Sequence, residues 1–372
     1  MQSIRSAPLT PSFRRRPESS TLIHAQHLEY GSCGSGDELG SGLRQNDGVG
    51  GSRWMATLGM AAMILIGATA HAQNFPTKPI RYIIPFAPGG GQDLVGRALA
   101  PRLAEGFGQQ VFIDNRPGGG TILGAELAAR SAPDGYTIFM GSNTSMSINP
   151  NLHAKLPYEP LRDFAPITRI AIAANMLVVH PSMPVRTVKE FAALAKAHPG
   201  QLNYGSSGTG TPAHLAGVMF NEAAGVALVH VPYKGSSPAL TAVLSGETQL
   251  MFGTLTSSLQ FVRSKRLRAL AVSSAQRTPA APDLPTIAES GYPGFEAITW
   301  YGAFAPAGTP PAALNRLRSE FNKVLSNAEF KTWLLNQGAE AAPTTPEELA
   351  ALVKRELALY APIIKKSGMK AD

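Results

Sequence analysis

Ile83-Ile84-Pro85-Phe86-Ala87-Pro88-Gly89-Gly90-Gly91-Gln92-Asp93 carries the reading of the fold. An apolar strand ends here in glycines, and Leu94, Val95, Ala98, Leu99, Leu103 and Phe107 follow at helical spacing. A strand that passes into a helix through glycine leaves backbone N–H groups free at the helix's positive end, which suits an anion. Asn203-Tyr204-Gly205-Ser206-Ser207-Gly208-Thr209-Gly210-Thr211-Pro212 repeats the arrangement. The first turn lacks the lysine and Ser/Thr of a P-loop. The second formally fits G-x-G-x-x-A, but no acid stands about twenty residues on, where a dinucleotide site would need one. Two such turns in one chain point to two halves closing on a small carboxylate.

Working outward, the pattern alternates strand and helix. Strands are expected at 79–84, 110–113 and 136–140, with helices at 94–107 and 122–129. An apolar stretch at 167–179 reads as a crossing segment. Beyond it come helices at 188–197, 213–223 and 238–244, and strands at 202–205, 228–231, 250–252 and 267–272. A strand at 296–304 returns to the first half, and helices at 311–325, 328–336 and 346–360 finish the chain. Such βαβ units imply an α/β fold, each lobe a mixed, mostly parallel sheet flanked by helices. Two crossings divide it into lobe 1 (73–175 and 299–372) and lobe 2 (176–298), a hinged clamshell.

The chain has 372 residues and a formal charge of +8, with hydrophobic content 44% and charged content 16%. That is globular composition with length enough for two cores. The basic residues are scattered, so no nucleic-acid surface is expected. Cys33, the single cysteine, precedes the export segment. The body beyond it therefore has no disulfide and no thiolate.

Residues 55–69 form a short apolar run flanked by Arg53 and followed by Ala70-His71-Ala72. This reads as an export signal cleaved after Ala72, too short for a comfortable membrane span; an uncleaved anchor is the bland alternative. Residues 1–54 fit nothing downstream; they are expected to be a mis-called extension, the true start lying near 49–55.

Candidate ligand-binding residues follow from the turns. Phe86, Ala87, Gly89, Gly90 and Gly91 form the first, with Asp93 placed to complement the helix dipole; a plain tight turn with a capping acid is the bland alternative. Ser206, Ser207, Gly208, Gly210 and Thr211 form the second, where Thr211 as N-cap and Pro212 at the first helical position also explain the turn locally. Ser142, Asn143 and Thr144 end another strand and offer neutral donors. Tyr233 opens a third strand-to-helix turn, Tyr233-Lys234-Gly235-Ser236, whose lone lysine is of a kind usually solvated. His214 joins the set, although a histidine there more often has a structural role. The five histidines after the export segment (153, 180, 198, 214 and 230) lack metal-ligand spacing, and neither G-x-S-x-G nor H-E-x-x-H occurs. No cofactor, no metal and no catalytic residue is expected.

Seven signatures in order then resemble one family. They are Phe75-Pro76-Thr77-Lys78-Pro79-Ile80-Arg81, the first turn, Asp114-Asn115-Arg116-Pro117-Gly118, Ala132-Pro133-Asp134-Gly135-Tyr136, the second turn, His230-Val231-Pro232-Tyr233-Lys234-Gly235, and Leu267-Arg268-Ala269-Leu270-Ala271-Val272. Residues 75–370 resemble the substrate-binding proteins of tripartite tricarboxylate transporters, the Bug family. The resemblance implies a two-lobe periplasmic binding fold (type II-like clamshell), monomeric, that holds a small organic acid at 86–91 and 206–211. It implies transient membrane transporter subunits as partners. A sensor subunit serving a two-component system would use the same fold; an α/β hydrolase would need a nucleophile–base pair that the sequence does not show. Where the family often has acids, this chain has Gln249 and Gly253. That favours a mono- or dicarboxylate over an amino acid, and Gly253 is added to the candidate site. Ala87 stands where the family commonly has proline.

Overall fold

Glycine-ended strands and amphipathic helices alternate as expected in the computed structural model, which describes residues 75–367 and 369. The extension at 1–54, the export segment at 55–72 and the cleavage point after Ala72 lie outside the described residues. β1 (Ile80–Ile84) is flanked in parallel by β2 (Val111–Asn115) and β3 (Thr137–Ser142). Between β1 and β2 runs α1 (Gly91–Phe107), ended by Gly108 in the left-handed region (φ 65°). Val95, Leu99, Leu103 and Phe107 recur at i, i+4 and bury against Ile80, Tyr82 and Ile84. α2 (Ile122–Ala129) follows β2, and two single turns, α3 (Asn149–Leu152) and α4 (Pro160–Asp163), follow β3.

β4 (Phe164–Val179) does the crossing. Its register runs from Phe164↔Pro306 to Ala174↔Ile298 against β9 (Ile298–Pro306), then from Asn175↔Thr254 to Val179↔Leu250 against β7 (Leu250–Thr254), antiparallel throughout. The second lobe adds α5 (Val188–Ala197), β5 (Asn203–Ser206), α6 (Pro212–Ala224), β6 (Val229–Pro232), α7 (Ser236–Ser245), α8 (Leu255–Arg263) and β8 (Arg268–Val272). β5 is parallel to both β6 and β7. Among the described residues the strand order is β2-β1-β3-β9-β4-β7-β5-β6, with β8 and the short β10 (Glu340–Ala341) both pairing with β4. The sheet is thus mixed: parallel at the outer part of each lobe, antiparallel where β4 and β9 pass through the middle.

Each lobe has its own core, one around Leu99, Tyr301, Leu317 and Phe321, the other around Leu177, Phe191, Phe220 and Phe252. The strands that join them are pinned by side chains. Buried Asn175 donates from Nδ2 to Ala297 O (2.8 Å) and accepts on Oδ1 from Thr299 Oγ1 (3.1 Å). Its backbone N–H donates to Ser273 Oγ (3.0 Å), so the crossing is tied on three chain segments.

Three helices close the chain: α9 (Pro311–Ser326), α10 (Ala328–Asn336) and α11 (Pro346–Ser367). α11 continues past the expected stop at residue 360, through Pro362. Its last turns bury Ile364 against Ile148 and Leu215, and this packing offsets the hydrogen bond that proline removes.

Candidate functional site

The carboxyl ends of β1, β3, β5 and β7 face one small cavity of about 30 Å³. Phe86, Gly90, Gly91, Gln92, Ser142, Thr144 and Ser207 line it together with Pro212, Ala213, Ser236, Thr254, Thr299 and Tyr301. Open α/β sheets place ligands at this end of their strands. Four helices begin at its wall: α1 at Gly91, α6 at Pro212, α7 at Ser236 and α8 just after Thr254. Of these only α6 has a side-chain cap, Thr211 Oγ1 accepting the His214 N–H at 3.4 Å. The free N–H groups of the others give the cavity a positive field. Both amide atoms of Gln92, Ser142 Oγ and Thr144 Oγ1 are buried without a hydrogen-bond partner. Buried polar atoms are ordinarily satisfied, so this cluster beside four helix starts fits a polar, anionic guest.

A second cavity, about 280 Å³, adjoins the first across Phe86 and Ser207. Its remaining walls are Gly118, Gly119, Gly120 and Thr121 from one lobe, and Gly208, Thr209, Pro232, Tyr233 and Lys234 from the other. Gly118, Gly119 and Gly120 all have positive φ (131°, 54° and 56°), and Thr121 follows at 86°. A threonine in that region is strained, and such strain collects at functional sites. The lobes touch here: a Cβ on Gly120 would lie 2.6 Å from the Thr209 carbonyl oxygen. No carboxylate lines either cavity.

The remaining candidates hold the turns in shape. Asp93, 2% exposed, lines neither cavity. It accepts from Gly89 N–H (2.8 Å), Arg97 Nε (2.8 Å) and Asn115 Nδ2 (2.9 Å), while Asn115 also donates to Phe86 O (3.1 Å). Burial raises its pKa, but these hydrogen bonds and the Arg97 charge outweigh that and hold it below the usual carboxylate value. Ala87 and Gly89 line neither cavity and lie against Gly235 and Ser237 of the other lobe. In the second turn Thr211 Oγ1 donates to Gly208 O (2.7 Å), and the Gly208 N–H donates to Ser206 Oγ (3.1 Å). Gly210 N–H donates to His214 Nδ1 (3.3 Å). His214 stacks on His230 with centroids 3.7 Å apart, and burial, then His230, pulls its pKa down to about 3. Ser206 Oγ lies 2.6 Å from His230 Nε2, yet Ser206 is fully buried and lines neither cavity. Asn143 donates to Ile298 O (2.8 Å) at the crossing, and Tyr233 donates to Glu247 Oε1 (2.7 Å) while its residue walls the second cavity.

Sequence reasoning missed several wall residues. Gln92 and Ser236 adjoin quoted glycines and were within reach of it; Thr254, Thr299 and Tyr301 sit on strands with no local mark. Among the described residues no cluster of three His, Cys, Asp or Glu could hold a metal, and no helix is long and apolar enough to cross a membrane.

The model of the tripartite tricarboxylate transporter family receptor matches residues 95–369. The chain belongs to this family. Protein BugT of Bordetella pertussis is 33% identical to the receptor over 321 residues, covering 86% of this chain and 98% of that protein. The structure of R. palustris Rpa4515 with adipate matches at TM-score 0.78 and 34% identity, over 80% of this chain and 99% of that one. MatC from Rhodopseudomonas palustris with bound malate matches at TM-score 0.74 and 30% identity, over 78% and 100%.

Two of the receptor's departures from the family pattern now have a location. Gln249 lies just before β7, its Oε1 accepting Asn203 N–H at 2.8 Å, away from the cavity walls. Its identity therefore bears on how β5 and β7 begin, not on ligand charge. Gly253 pairs with Met176, and a Cβ there would run into Ser258 Oγ. A side chain at 253 would have to push that hydroxyl aside.

Proposed function

We propose that the protein is a periplasmic receptor that captures a small organic carboxylate between its lobes and delivers it to membrane transporter subunits. One observation carries this reading: four helix starts and the unpartnered polar atoms of Gln92, Ser142 and Thr144 surround a cavity without an acid. The cavity favours a carboxylate by hydrogen bonds and dipoles, without a salt bridge of its own. The adipate and malate in the two R. palustris structures are carboxylates too. Lobe 1 comprises 73–175 and 299–372, lobe 2 comprises 176–298, and β4 and β9 form the hinge. The protein binds without catalysis, works as a monomer, and reaches the periplasm by cleavage after Ala72.

Thermal unfolding of the chain from Gln73 tests this, against a panel of aliphatic, aromatic and amino acids. An acid at a hundred times its Kd should stabilise by about 2.7 kcal/mol. A shift by one class of carboxylate is the expected result; no shift by any acid, with refolded protein, would end the proposal.

Closure also makes a prediction. Gly120→Ala puts a Cβ into the Thr209 carbonyl and an L-residue at φ 56°. The expected result is roughly tenfold weaker binding of the best acid, about 1.4 kcal/mol, by calorimetry. Unchanged affinity would show that the lobes bind without this contact.

A further inference from the structure

We infer that Asn149 is a positioning residue for closure: it shapes the surface of lobe 1 on which the second glycine turn seats, and so sets how long a bound acid is held. This rests on the receptor function proposed above and adds what keeps the closed form together. Asn149 opens α3, is fully buried and lines neither cavity. Its Nδ2 donates to Gly120 O at 2.7 Å and to Thr121 Oγ1 at 3.2 Å. Gly120 and Thr121 end the run of positive φ at 118–121. An L-residue such as Thr121, at φ 86°, persists there only when its surroundings hold it, and the Asn149 carboxamide supplies two of the bonds that do.

The second turn, on the other lobe, rests on that run and on Asn149 together. A Cβ on Gly120 would lie 2.6 Å from Thr209 O, and one on Gly208 would lie 3.7 Å from Gly120 Cα. A Cβ on Gly210 would lie 2.8 Å from Asn149 Oδ1 itself. The one side chain thus serves both sides: its amide holds residues 120 and 121, and its oxygen abuts the turn that comes to meet them. That oxygen is buried without a hydrogen-bond partner. Reversing the carboxamide would not cure this, because the oxygen would then face the Gly120 carbonyl. The donors therefore fix the orientation, and the contact with lobe 2 follows from it. Ser207, which lines both cavities, belongs to the same turn, so seating that turn also places a cavity wall. Beside Asn149, Ile148 continues the contact by packing with Leu215 of α6. Without the amide, residues 120 and 121 are free to leave the positive-φ region, and Thr209 and Gly210 lose the surface they rest on. That surface acts only once the lobes have met, so its loss should speed release of a bound acid and leave capture nearly unchanged.

The test combines calorimetry with stopped-flow kinetics, using whichever of succinate, malate, adipate and benzoate stabilises the wild type most. It is run on the wild type, on Asn149→Ala, and on Asn149→Asp, which keeps the shape but removes the amide donors. Asn151→Ala is the control: Asn151 Nδ2 donates to Ser147 O (3.0 Å) and Leu357 O (2.9 Å), both within lobe 1, so its loss loosens the same segment without touching lobe 2. Both Asn149 variants should bind at full stoichiometry with Kd raised about tenfold or more, the dissociation rate rising to match and the association rate staying within about twofold. Asn151→Ala should lower the unliganded melting point and leave Kd within about twofold of wild type. Wild-type affinity in Asn149→Asp, an equal loss in Asn151→Ala, or a loss carried by the association rate overturns the inference and leaves the receptor function standing. So does a variant that fails to fold, or one whose stoichiometry falls at unchanged Kd, because the role would then be structural alone. If none of the four acids binds the wild type, the receptor function fails and this inference fails with it.

Discussion

Gly91→Ala is expected to weaken ligand binding by about a hundredfold while leaving the unliganded protein folded. Gly91 opens α1 and lines the cavity at the helix starts. A Cβ there would overlap Thr256 Oγ1, lie 2.8 Å from Tyr301 Oη and 3.1 Å from Thr254 Oγ1. These three groups are already joined: Thr256 Oγ1 is 3.0 Å from Thr254 Oγ1 and 3.1 Å from Tyr301 Oη. Tyr301 is fully buried in the first lobe's core, so its hydroxyl cannot swing aside. The threonines must move instead, and with them the start of α8. Because Gly91 is helical, alanine suits its backbone, and the clash alone separates the variant from the wild type. Overpacking a fitted interior costs about 1–3 kcal/mol, and here it acts on the seat itself. The affinity for the best acid should fall by about a hundredfold, or about 2.7 kcal/mol. Calorimetry gives that number, and a melting point without ligand within a few degrees of wild type shows that the lobes remain intact. Wild-type affinity in this variant would mean that the carboxylate sits elsewhere.

Much of the architecture was legible because local and tertiary preferences agree. The spacing places helices at 122–129, 188–197 and 328–336, and these are their observed bounds. Two of them also carry caps: Thr187 and Glu190 form a capping box on one, and Asn327 accepts Phe330 N–H on the other. Where the preferences conflict, the sequence misleads. Leu255-Thr256-Ser257-Ser258-Leu259-Gln260-Phe261-Val262-Arg263 is rich in weak helix formers, and no helix is expected there. α8 forms because Leu255 and Leu259, one turn apart, are buried. The site divides similarly. Glycines and small hydroxyls at strand ends announce themselves, and parts of both quoted turns line the cavity. Thr299 and Tyr301 belong to a strand whose partners, β3 and β4, lie far away in sequence; that they face the cavity follows from register alone. Asp93 shows the opposite limit. Its position in a helix's first turn marks it as important, but only the geometry shows that it holds the turn and lines neither cavity.

Asp93→Ala should therefore be the more damaging of two substitutions to stability, and its effect should depend on pH. The carboxylate accepts from the Gly89 N–H, Arg97 and Asn115, and Asn115 holds Phe86 O in turn. Alanine leaves the Gly89 N–H and the Asn115 amide without that acceptor, and the turn that presents Gly90 and Gly91 loses its support. The cost should be about 2–4 kcal/mol, allowing for the exposure of Arg97 to water. Asp93→Asn keeps the shape but not the charge, and should lose about half as much. Because the folded-state pKa is lowered, the unfolded chain binds the proton more readily, and stability rises with pH through this group. The advantage of wild type over Asp93→Asn should be complete above the ordinary carboxylate value, 3.8, and shrink as pH falls below it through the folded-state pKa. Denaturant unfolding of both proteins at pH 6, 4 and 3 measures that difference, and other titrating groups cancel in the subtraction. A gap that stayed constant down to pH 3 and below would show that Asp93 serves the turn by shape, not charge. A gap that closes on acidification would show that the negative charge of Asp93 is what holds the first turn against the cavity.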